Sequence, residues 1–147
     1  MQTRLRFLET FIAETGKTEF PVLTVMQPYA QMLLYGFKTY EYRNWKLPNK
    51  YIGEWILIHA GTLKKGDLLV NPIKFDDFLF EIGSLHNLPN HAIIGAVKFA
   101  GAEETDWQRY KFKWPVTDRV LFTSEIPDIK GKLKIWKHKI DLQNKIN

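Results

Sequence analysis

The chain has 147 residues, and 45% of them are hydrophobic, which is enough for one domain with a packed core. It contains no cysteine, which excludes disulfide bonds, iron–sulfur clusters, thiolate metal sites and a cysteine nucleophile. No segment approaches the roughly 20 apolar residues of a membrane-spanning helix, and residues 1–7 lack the apolar run of a signal peptide. We therefore expect a globular, cytoplasmic protein that does not enter membranes.

The positive charge lies mostly in the C-terminal part of the chain. The net charge is +5, with 11 Lys and Arg against 12 Asp and Glu in residues 1–108, and 10 against 4 in residues 109–147. Such an excess suits a polyanionic partner. A solvated, lysine-rich tail explains the excess equally well, so charge alone leaves both interpretations open.

The first predicted elements are two helices with a strand between them. Apolar residues recur at helical spacing over residues 3–14, and Gly16 follows as a stop signal, which predicts a helix within an N-terminal extension of residues 1–19. Residues 20–25 have the composition of a short strand. Residues 27–36 have a proline near the first turn and a glycine at the end, which predicts a second helix.

The next stretch concentrates charge in what the composition predicts to be a short aromatic strand. Strand alternation places Tyr40 and Tyr42 on one face and, on the other, Thr39, Glu41, Arg43 and Trp45. Glu41 and Arg43 are then same-face neighbours, about 7 Å apart at their Cα atoms. Such a pair is usually a surface ion pair worth less than about 1 kcal/mol. Its position directly after a helix with defined ends favours a functional site.

The rest of the chain predicts a helix and four strands. In residues 62–91 a loop leads into a helix that ends before Gly83. The predicted strands are residues 54–61, 92–100, 120–123 and 132–140. Gly95 inside the second of these strands predicts a bulge or close packing. In the last strand Lys132 and Lys134 alternate with apolar residues, as at a protected sheet edge.

Residues 107–114 interleave basic and aromatic side chains, among them Lys111 and Trp114. This composition suits phosphate contacts combined with ring surfaces on which bases stack. An aromatic strand with one buried face and lysines outside gives the same pattern. Both interpretations remain open from the sequence.

Few sequence motifs point to a common catalytic chemistry. The four histidines lack the spacing of a metal site, and we predict no metal or other cofactor. There is no Walker-type phosphate loop, no Gly-x-Gly-x-x-Gly turn and no Gly-x-Ser-x-Gly elbow. His59 ends an apolar strand, where a histidine is usually a hydrogen-bonded core residue or, less often, lines a pocket.

The strongest candidate site is formed by Lys38, Glu41 and Arg43. Lysine and arginine hold phosphate, while a glutamate orients them, acts as a base or accepts a hydrogen bond from a nucleobase amine. If Glu41 holds Arg43, the guanidinium is preorganised for one further anion.

The chain resembles the ASCH domain family, named after activating signal cointegrator homology. The segments that carry the resemblance are Leu23 to Ala30, the motif Gly36-x-Lys38-x-x-Glu41-x-Arg43-x-Trp45, Gly53, Ile58-His59-Ala60, Ile94 to Val97, Pro127, Lys130-Gly131 and Trp136. The resemblance implies an α+β fold, in which residues 20–147 form a small PUA-like β-barrel with flanking helices and an added N-terminal helix.

The resemblance also implies that the domain binds RNA, or a nucleotide-like small molecule, in a cleft. The residues that it places in or near this cleft are Lys38, Glu41, Arg43, Gln27, Pro28, Trp45 and His59. We further expect Lys111 and Trp114 to extend the binding surface.

Three alternatives stay open. Some ASCH-like proteins resemble an amidohydrolase for N4-acetylcytidine that uses a lysine, a threonine three residues later and a downstream glutamate. Lys38 stands at the position of that lysine, but Glu41 replaces the threonine, and a carboxylate does not substitute for a hydroxyl nucleophile.

The second alternative is a metal-assisted ribonuclease, which needs acidic metal ligands. The third alternative is a protein-interaction domain. In a protein-interaction domain, Glu41 and Arg43 would pair away from any cleft. The sequence predicts no oligomeric state.

Overall fold

The structure is a computed structural model that describes residues 4–142. Its helices are α1 (Leu8–Thr15), α2 (Tyr29–Tyr35) and α3 (Pro72–Ile82). Its strands are β1 (Leu5–Arg6), β2 (Glu19–Gln27), β3 (Tyr40–Arg43), β4 (Ile56–Leu63), β5 (Ala92–Phe99), β6 (Glu103–Glu104), β7 (Phe112–Ile126) and β8 (Ile135–Lys139). Among the residues described, no helix has both the length and the apolar composition that a membrane span requires.

The strands form one mixed sheet of eight strands. Its main path runs β1-β7-β5-β4-β2-β8, and β3 and β6 pair with β7 beside this path. β1 is parallel to β7 and β2 is parallel to β4, while the other pairs are antiparallel. The predicted α+β class is confirmed. Within residues 4–142 the two ends of the path do not pair with each other, so the sheet is open and the predicted barrel is not confirmed.

The long strand β7 connects β3 to the rest of the sheet. Its first residues pair with β3, where Glu41 lies opposite Trp114 and Tyr40 opposite Pro115. From the next residue onward it pairs with β5. Proline lacks an N–H group, and Pro115 lies where the strand changes partner, a position that tolerates the missing donor. The strand predicted over residues 120–123 is therefore only one part of β7.

The N-terminal helix begins later than predicted. Residues 5 and 6 form β1, which pairs with β7, and α1 begins only at Leu8. Helical spacing cannot reveal such a pairing, because the partner strand is far away in the sequence. The predicted end of the helix is confirmed, since Gly16 caps it with a φ of 68°. Residue 3, which the predicted helix included, lies outside the described residues.

Each face of the sheet carries its own hydrophobic core. On one face α1 contributes Phe11, whose ring centroid lies 5.2 to 5.4 Å from those of Phe20, Trp55 and Phe122. On the other face α2 packs against the sheet together with the buried ring of Trp114. The candidate motif follows α2 directly and is therefore held by this second core.

Gly95 allows α2 to approach the sheet closely. A Cβ atom at this position of β5 would overlap the carbonyl oxygen of Val120 in β7 and would lie 2.8 Å from Cδ1 of Leu34 in α2. A register shift in the pairing with β7 also occurs between Ile93 and Gly95. Both outcomes predicted for this glycine, a strand irregularity and close packing, are confirmed.

The last strand is shorter than predicted. Residues 132–140 were expected to be extended throughout, but β8 covers only Ile135–Lys139 and pairs with β2. Lys132 and Lys134 precede the strand, and Lys134 has a φ of 56° where the chain turns into β8. The predicted alternation of lysines with apolar residues lies partly outside the sheet.

We expect the Gly95→Ala variant to lower the free energy of unfolding by roughly 1–3 kcal/mol, the usual cost of overpacking a core. The overlapping atom belongs to the backbone of β7, which cannot move without disturbing its own pairing. Chemical denaturation followed by tryptophan fluorescence measures the change.

The Gly61→Ala variant in neighbouring β4 is a matched control. A Cβ atom there would make ordinary contacts of 3.4 Å or longer. We therefore expect a smaller change in the free energy of unfolding. Equal losses in the two variants would contradict the close packing at Gly95.

Candidate functional site

The end of α2 and the pairing of β3 with β7 bring the charged motif together. α2 ends at Gly36, whose φ of 84° confirms the predicted stop. The backbone N–H of Lys38 donates to the carbonyl oxygen of Met32 at 3.1 Å, which folds the turn back against the helix. β3 then pairs with β7, and Glu41 lies opposite Trp114. The short turn thus sets Lys38 beside the strand that carries Glu41.

Lys38, Glu41 and Arg43 form one connected cluster, which we call the charged triad. Nζ of Lys38 donates to Oε1 of Glu41 at 2.5 Å. Nε and Nη2 of Arg43 donate to Oε2 of Glu41 at 3.0 and 2.8 Å. Nη2 also donates to the carbonyl oxygen of Thr24 at 2.8 Å, which ties the triad to β2. The predicted proximity of Glu41 and Arg43 on one face of a strand is confirmed.

Glu41 is buried, and the two cations keep it ionised. The residue is only 4% exposed, and burial by itself raises the pKa of its carboxyl group. The charges of Lys38 and Arg43, together with their hydrogen bonds, outweigh burial, so the pKa of Glu41 is lowered overall. Two positive groups and one negative group leave the triad with a net charge of +1.

The triad lines an open cavity of about 210 Å³, and half of the other residues in its walls are aromatic. The ring centroids of Tyr42 and Trp107 lie 4.4 Å apart. The rings of Trp107 and Tyr110 are nearly parallel, with centroids 6.3 Å apart and an angle of 13° between their planes. The remaining lining residues are Thr24, Val25, Met26, Tyr29 and Leu69.

A second hollow of about 220 Å³ adjoins this cavity. The two spaces share the residues Tyr29, Lys38, Tyr42, Leu69 and Trp107 in their walls. Lys38 stands between them, with Nζ 5.5 Å from the ring centroid of Tyr42 and 5.9 Å from that of Tyr29. Together the cavity and the hollow form a groove that passes the charged triad.

The hydroxyls of Tyr29 and Tyr42 are protonated at neutral pH, because the pKa of each is raised. Burial raises the pKa of Tyr29, although the backbone N–H of Leu69, which donates to its hydroxyl oxygen at 2.9 Å, acts in the opposite direction. Burial and then the neighbouring Tyr40 raise the pKa of Tyr42. Both hydroxyls are therefore neutral groups that can donate hydrogen bonds beside the positive triad.

Gln27 and Pro28 do not line the cavity. Gln27 is 1% exposed, and its Nε2 donates to the carbonyl oxygen of Pro89 at 2.9 Å and to Oε1 of Gln31 at 3.2 Å. Its Oε1 accepts from the backbone N–H of Gln31 at 3.0 Å. Pro28 is buried directly before α2. These two residues stabilise the start of the helix that leads to the site.

His59 does not line the cavity but lies behind Thr24, which does. It is 1% exposed, and its Nε2 lies 2.6 Å from the carbonyl oxygen of Ile129, which can only accept, so Nε2 carries the proton. Nδ1 then accepts from the hydroxyl of Thr24 at 3.1 Å. Burial lowers the pKa of His59, which favours the neutral ring. Of the two roles left open, the structure supports the hydrogen-bonded core histidine.

The predicted stacking surface around Trp114 is absent from the described part of the chain. Trp114 is fully buried in the core and packs edge-on against Trp45 with centroids 4.9 Å apart. Trp45 is half-buried and lies 6.0 Å from Cζ of Arg43 without lining the cavity. Lys111 is exposed in a turn, where its backbone N–H donates to Oδ1 of Asn44. Within residues 107–114 the strand β7 begins only at Phe112, and Trp114 lies on its buried face, whereas Trp107 and Tyr110 lie in the turn before it and line the cavity.

The ring surfaces predicted in residues 107–114 include Trp107 and Tyr110 of the cavity wall, but the ring of Tyr42 was not predicted there. Tyr42 was placed on the face opposite Glu41, yet its ring lines the same cavity, because the turn that carries Trp107 and Tyr110 folds beside β3. Leu69 comes from the segment before α3. The ring chosen from residues 107–114 was that of Trp114, which lies four residues after Tyr110 and seven residues after Trp107.

Neither a metal site nor a known relative identifies the chemistry of this groove. Within residues 4–142, no group of three His, Asp or Glu side chains is arranged to hold a metal ion. No family model matches the chain, and no curated protein matches it. An interpretation of function therefore rests on the geometry of the triad and its aromatic surroundings.

We expect the fold to lose stability in the acid range through Glu41. Its pKa in the folded chain is below the ordinary value of about 4.3 in an unfolded chain. Between these two pKa values the unfolded chain binds more protons than the folded chain. The stabilisation that the ionised Glu41 provides is therefore complete above about pH 5 and is lost as the pH falls through the pKa of the folded chain. The Glu41→Gln variant should lack this loss, and at neutral pH its free energy of unfolding should be lower by roughly 1.5–3 kcal/mol.

Urea denaturation of the wild-type chain and the Glu41→Gln variant over a series of pH values measures both effects. The Glu54→Gln variant is the control, because Glu54 pairs with Lys17 at an exposed position. It should change the free energy of unfolding by less than about 1 kcal/mol. A constant difference between wild type and Glu41→Gln throughout the acid range would contradict the ionised triad.

Proposed function

We propose that the chain is an ASCH-like domain of the PUA-like type that binds single-stranded RNA and holds one base in the cavity beside the charged triad. The observation that carries the proposal is a surplus positive charge fixed on the wall of an aromatic cavity. Positive groups bind phosphate and ring faces stack on bases, so the combination fits a nucleotide unit. The resemblance of the motif to ASCH domains favours RNA as the nucleic acid.

The triad retains hydrogen-bond donors for a phosphate or a base. Arg43 uses Nε and Nη2 on Glu41 and Thr24, which leaves Nη1 for a further acceptor. The ammonium group of Lys38 has three N–H donors, of which one is directed at Glu41. Because the side chains of Lys38 and Arg43 are 17% and 24% exposed, solvent and ligands can reach them. Glu41 thus orients two cations toward an incoming anion.

The size of the cavity favours one base over a longer stacked unit. Its volume of about 210 Å³ lies below the roughly 300–1,000 Å³ of pockets that enclose drug-sized ligands. A base must leave the stack of a duplex to enter such a space, whereas the bases of a single strand are already accessible. Trp107 is 38% exposed and offers its ring at the rim.

The geometry gives less support to the other functions. A hydrolase with Lys38 as the base and Glu41 as its acid–base partner needs a carboxylate that accepts a proton readily, yet both oxygens of Glu41 are occupied by cations and its pKa is lowered. In the interaction-domain alternative the pair of Glu41 and Arg43 lies away from any cleft, whereas here both residues line the cavity. We therefore propose no catalytic step.

We expect the Lys38→Ala variant to bind single-stranded RNA more weakly than the wild type. Loss of one phosphate contact should make the slope of log affinity against log salt shallower by about 0.7. Arg43 still pairs with Glu41 in this variant, so the fold should persist. Fluorescence anisotropy with a labelled oligonucleotide over a salt series measures the affinity and the slope.

We expect the Trp107→Ala variant to weaken binding by about 1–3 kcal/mol, the usual contribution of stacking one base on an aromatic ring. The Phe80→Ala variant is the control, because Phe80 is 93% exposed on α3 and lines neither the cavity nor the hollow. RNA affinity that is unaffected by both Lys38→Ala and Trp107→Ala would rule out the proposed site.

A further inference from the structure

Five lysines lie on the segment that leads into β8 and forms it. We call them the β8 ridge: Lys130, Lys132, Lys134, Lys137 and Lys139. All five are exposed, and residues 129–140 contain no acidic side chain. The ion pairs found among residues 4–142 involve none of them. Glu19 lies opposite Lys139 in the pairing of β2 with β8, and no acidic residue lies opposite the other four lysines in this pairing. Like charges at this density create a positive potential that attracts a polyanion.

Trp45 connects the β8 ridge with the charged triad. Nζ of Lys134 lies 5.8 Å from the centroid of the Trp45 ring, and Cζ of Arg43 lies 6.0 Å from the same centroid. Arg43 in turn holds Glu41 on the cavity wall. Positive groups therefore follow one another from the cavity, across one indole ring, to the edge of the sheet.

Protection of the sheet edge does not account for the whole ridge. Lysines that protect an edge lie on the edge strand, and Lys137 and Lys139 do so on β8. Lys132 and Lys134 precede the strand, and Nζ of Lys132 lies 5.6 Å from the ring centroid of Trp136. Lys134 adopts a φ of 56°, which is uncommon for residues other than glycine, and it does so in the turn before the strand.

We propose that the β8 ridge binds the phosphate backbone of the same single-stranded RNA whose base enters the cavity. This inference rests on the proposed function and extends it. The RNA passes from the cavity across Trp45 to β8, so that the cavity contacts one base and the ridge contributes phosphate contacts that are independent of sequence. The molecule bound is therefore a strand of several nucleotides and not a free nucleotide.

The test is a ridge variant, Lys132→Gln/Lys134→Gln/Lys137→Gln, which removes three positive charges and changes no residue of the cavity wall. Its affinities for a single-stranded RNA of about ten nucleotides and for a mononucleotide are measured over a salt series. The slope of log affinity against log salt should become shallower by about 2 for the oligonucleotide, and its affinity at physiological salt should fall by between about tenfold and a hundredfold. The affinity for the mononucleotide should be unchanged.

Two further variants control for net charge and for folding. Lys50→Gln/Lys64→Gln/Lys98→Gln removes the same charge elsewhere, because Lys50 and Lys98 line a separate groove beside α1 and Lys64 follows β4. Lys132→Arg/Lys134→Arg/Lys137→Arg keeps the charge of the ridge. Both should retain the slope of the wild type, and the melting temperature of each variant verifies its fold.

The outcomes separate this inference from the proposed function. An unchanged slope in the ridge variant, with Lys38→Ala still weakening binding, would overturn the ridge and leave the cavity proposal intact. An equal loss of slope in the Lys50→Gln/Lys64→Gln/Lys98→Gln control would also overturn it, since net charge alone would then explain the effect. Tighter binding to vesicles of anionic phospholipid than to the oligonucleotide would overturn it as well. Failure of the proposed function would give a different result, namely RNA binding that neither Lys38→Ala nor Trp107→Ala weakens.

Discussion

A buried carboxylate held between two cations determines the shape of the candidate site. Removing Glu41 from water is costly unless both of its oxygens have partners, and Lys38 and Arg43 provide them. Each cation is thereby fixed in one position, and Arg43 is held further by the carbonyl oxygen of Thr24. Since the negative charge cancels only one of the two positive charges, the cavity wall stays positive. The same contacts that satisfy Glu41 also prepare the site for an anion.

The rest of the fold supplies the aromatic walls around this charge. β3 has only four residues, and its pairing with β7 places Glu41 opposite Trp114, whose ring is buried. The turn between β6 and β7 then brings the rings of Trp107 and Tyr110 beside the ring of Tyr42 in β3. The site is thus built from segments that lie far apart in the sequence, and it depends on the sheet for its assembly. Charge and ring surface meet at one groove, which is the combination that nucleic-acid strands require.

The sequence predicted local structure well and long-range structure poorly. Gly16 and Gly36 mark the ends of α1 and α2 as predicted, because the preference of glycine for a positive φ at the end of a helix acts locally. The contact between Glu41 and Arg43 followed from strand alternation alone. By contrast, β1 depends on a free edge of β7, and the burial of Trp114 depends on neighbours contributed by α2, β4 and β5. No periodicity within a segment reports such partners, so the sequence did not distinguish the buried ring of Trp114 from the exposed ring of Trp107.

The most direct test of a nucleotide beside the charged triad is a nuclear magnetic resonance titration with single-stranded RNA. The side-chain Nε–H of Arg43 and the indole N–H of Trp107 report on the cavity, while the indole N–H of the buried Trp114 is an internal reference. We expect the Arg43 and Trp107 signals to shift together and saturate as RNA is added, and the Trp114 signal to change far less. Saturable RNA binding that leaves the Arg43 and Trp107 signals in place would contradict this expectation.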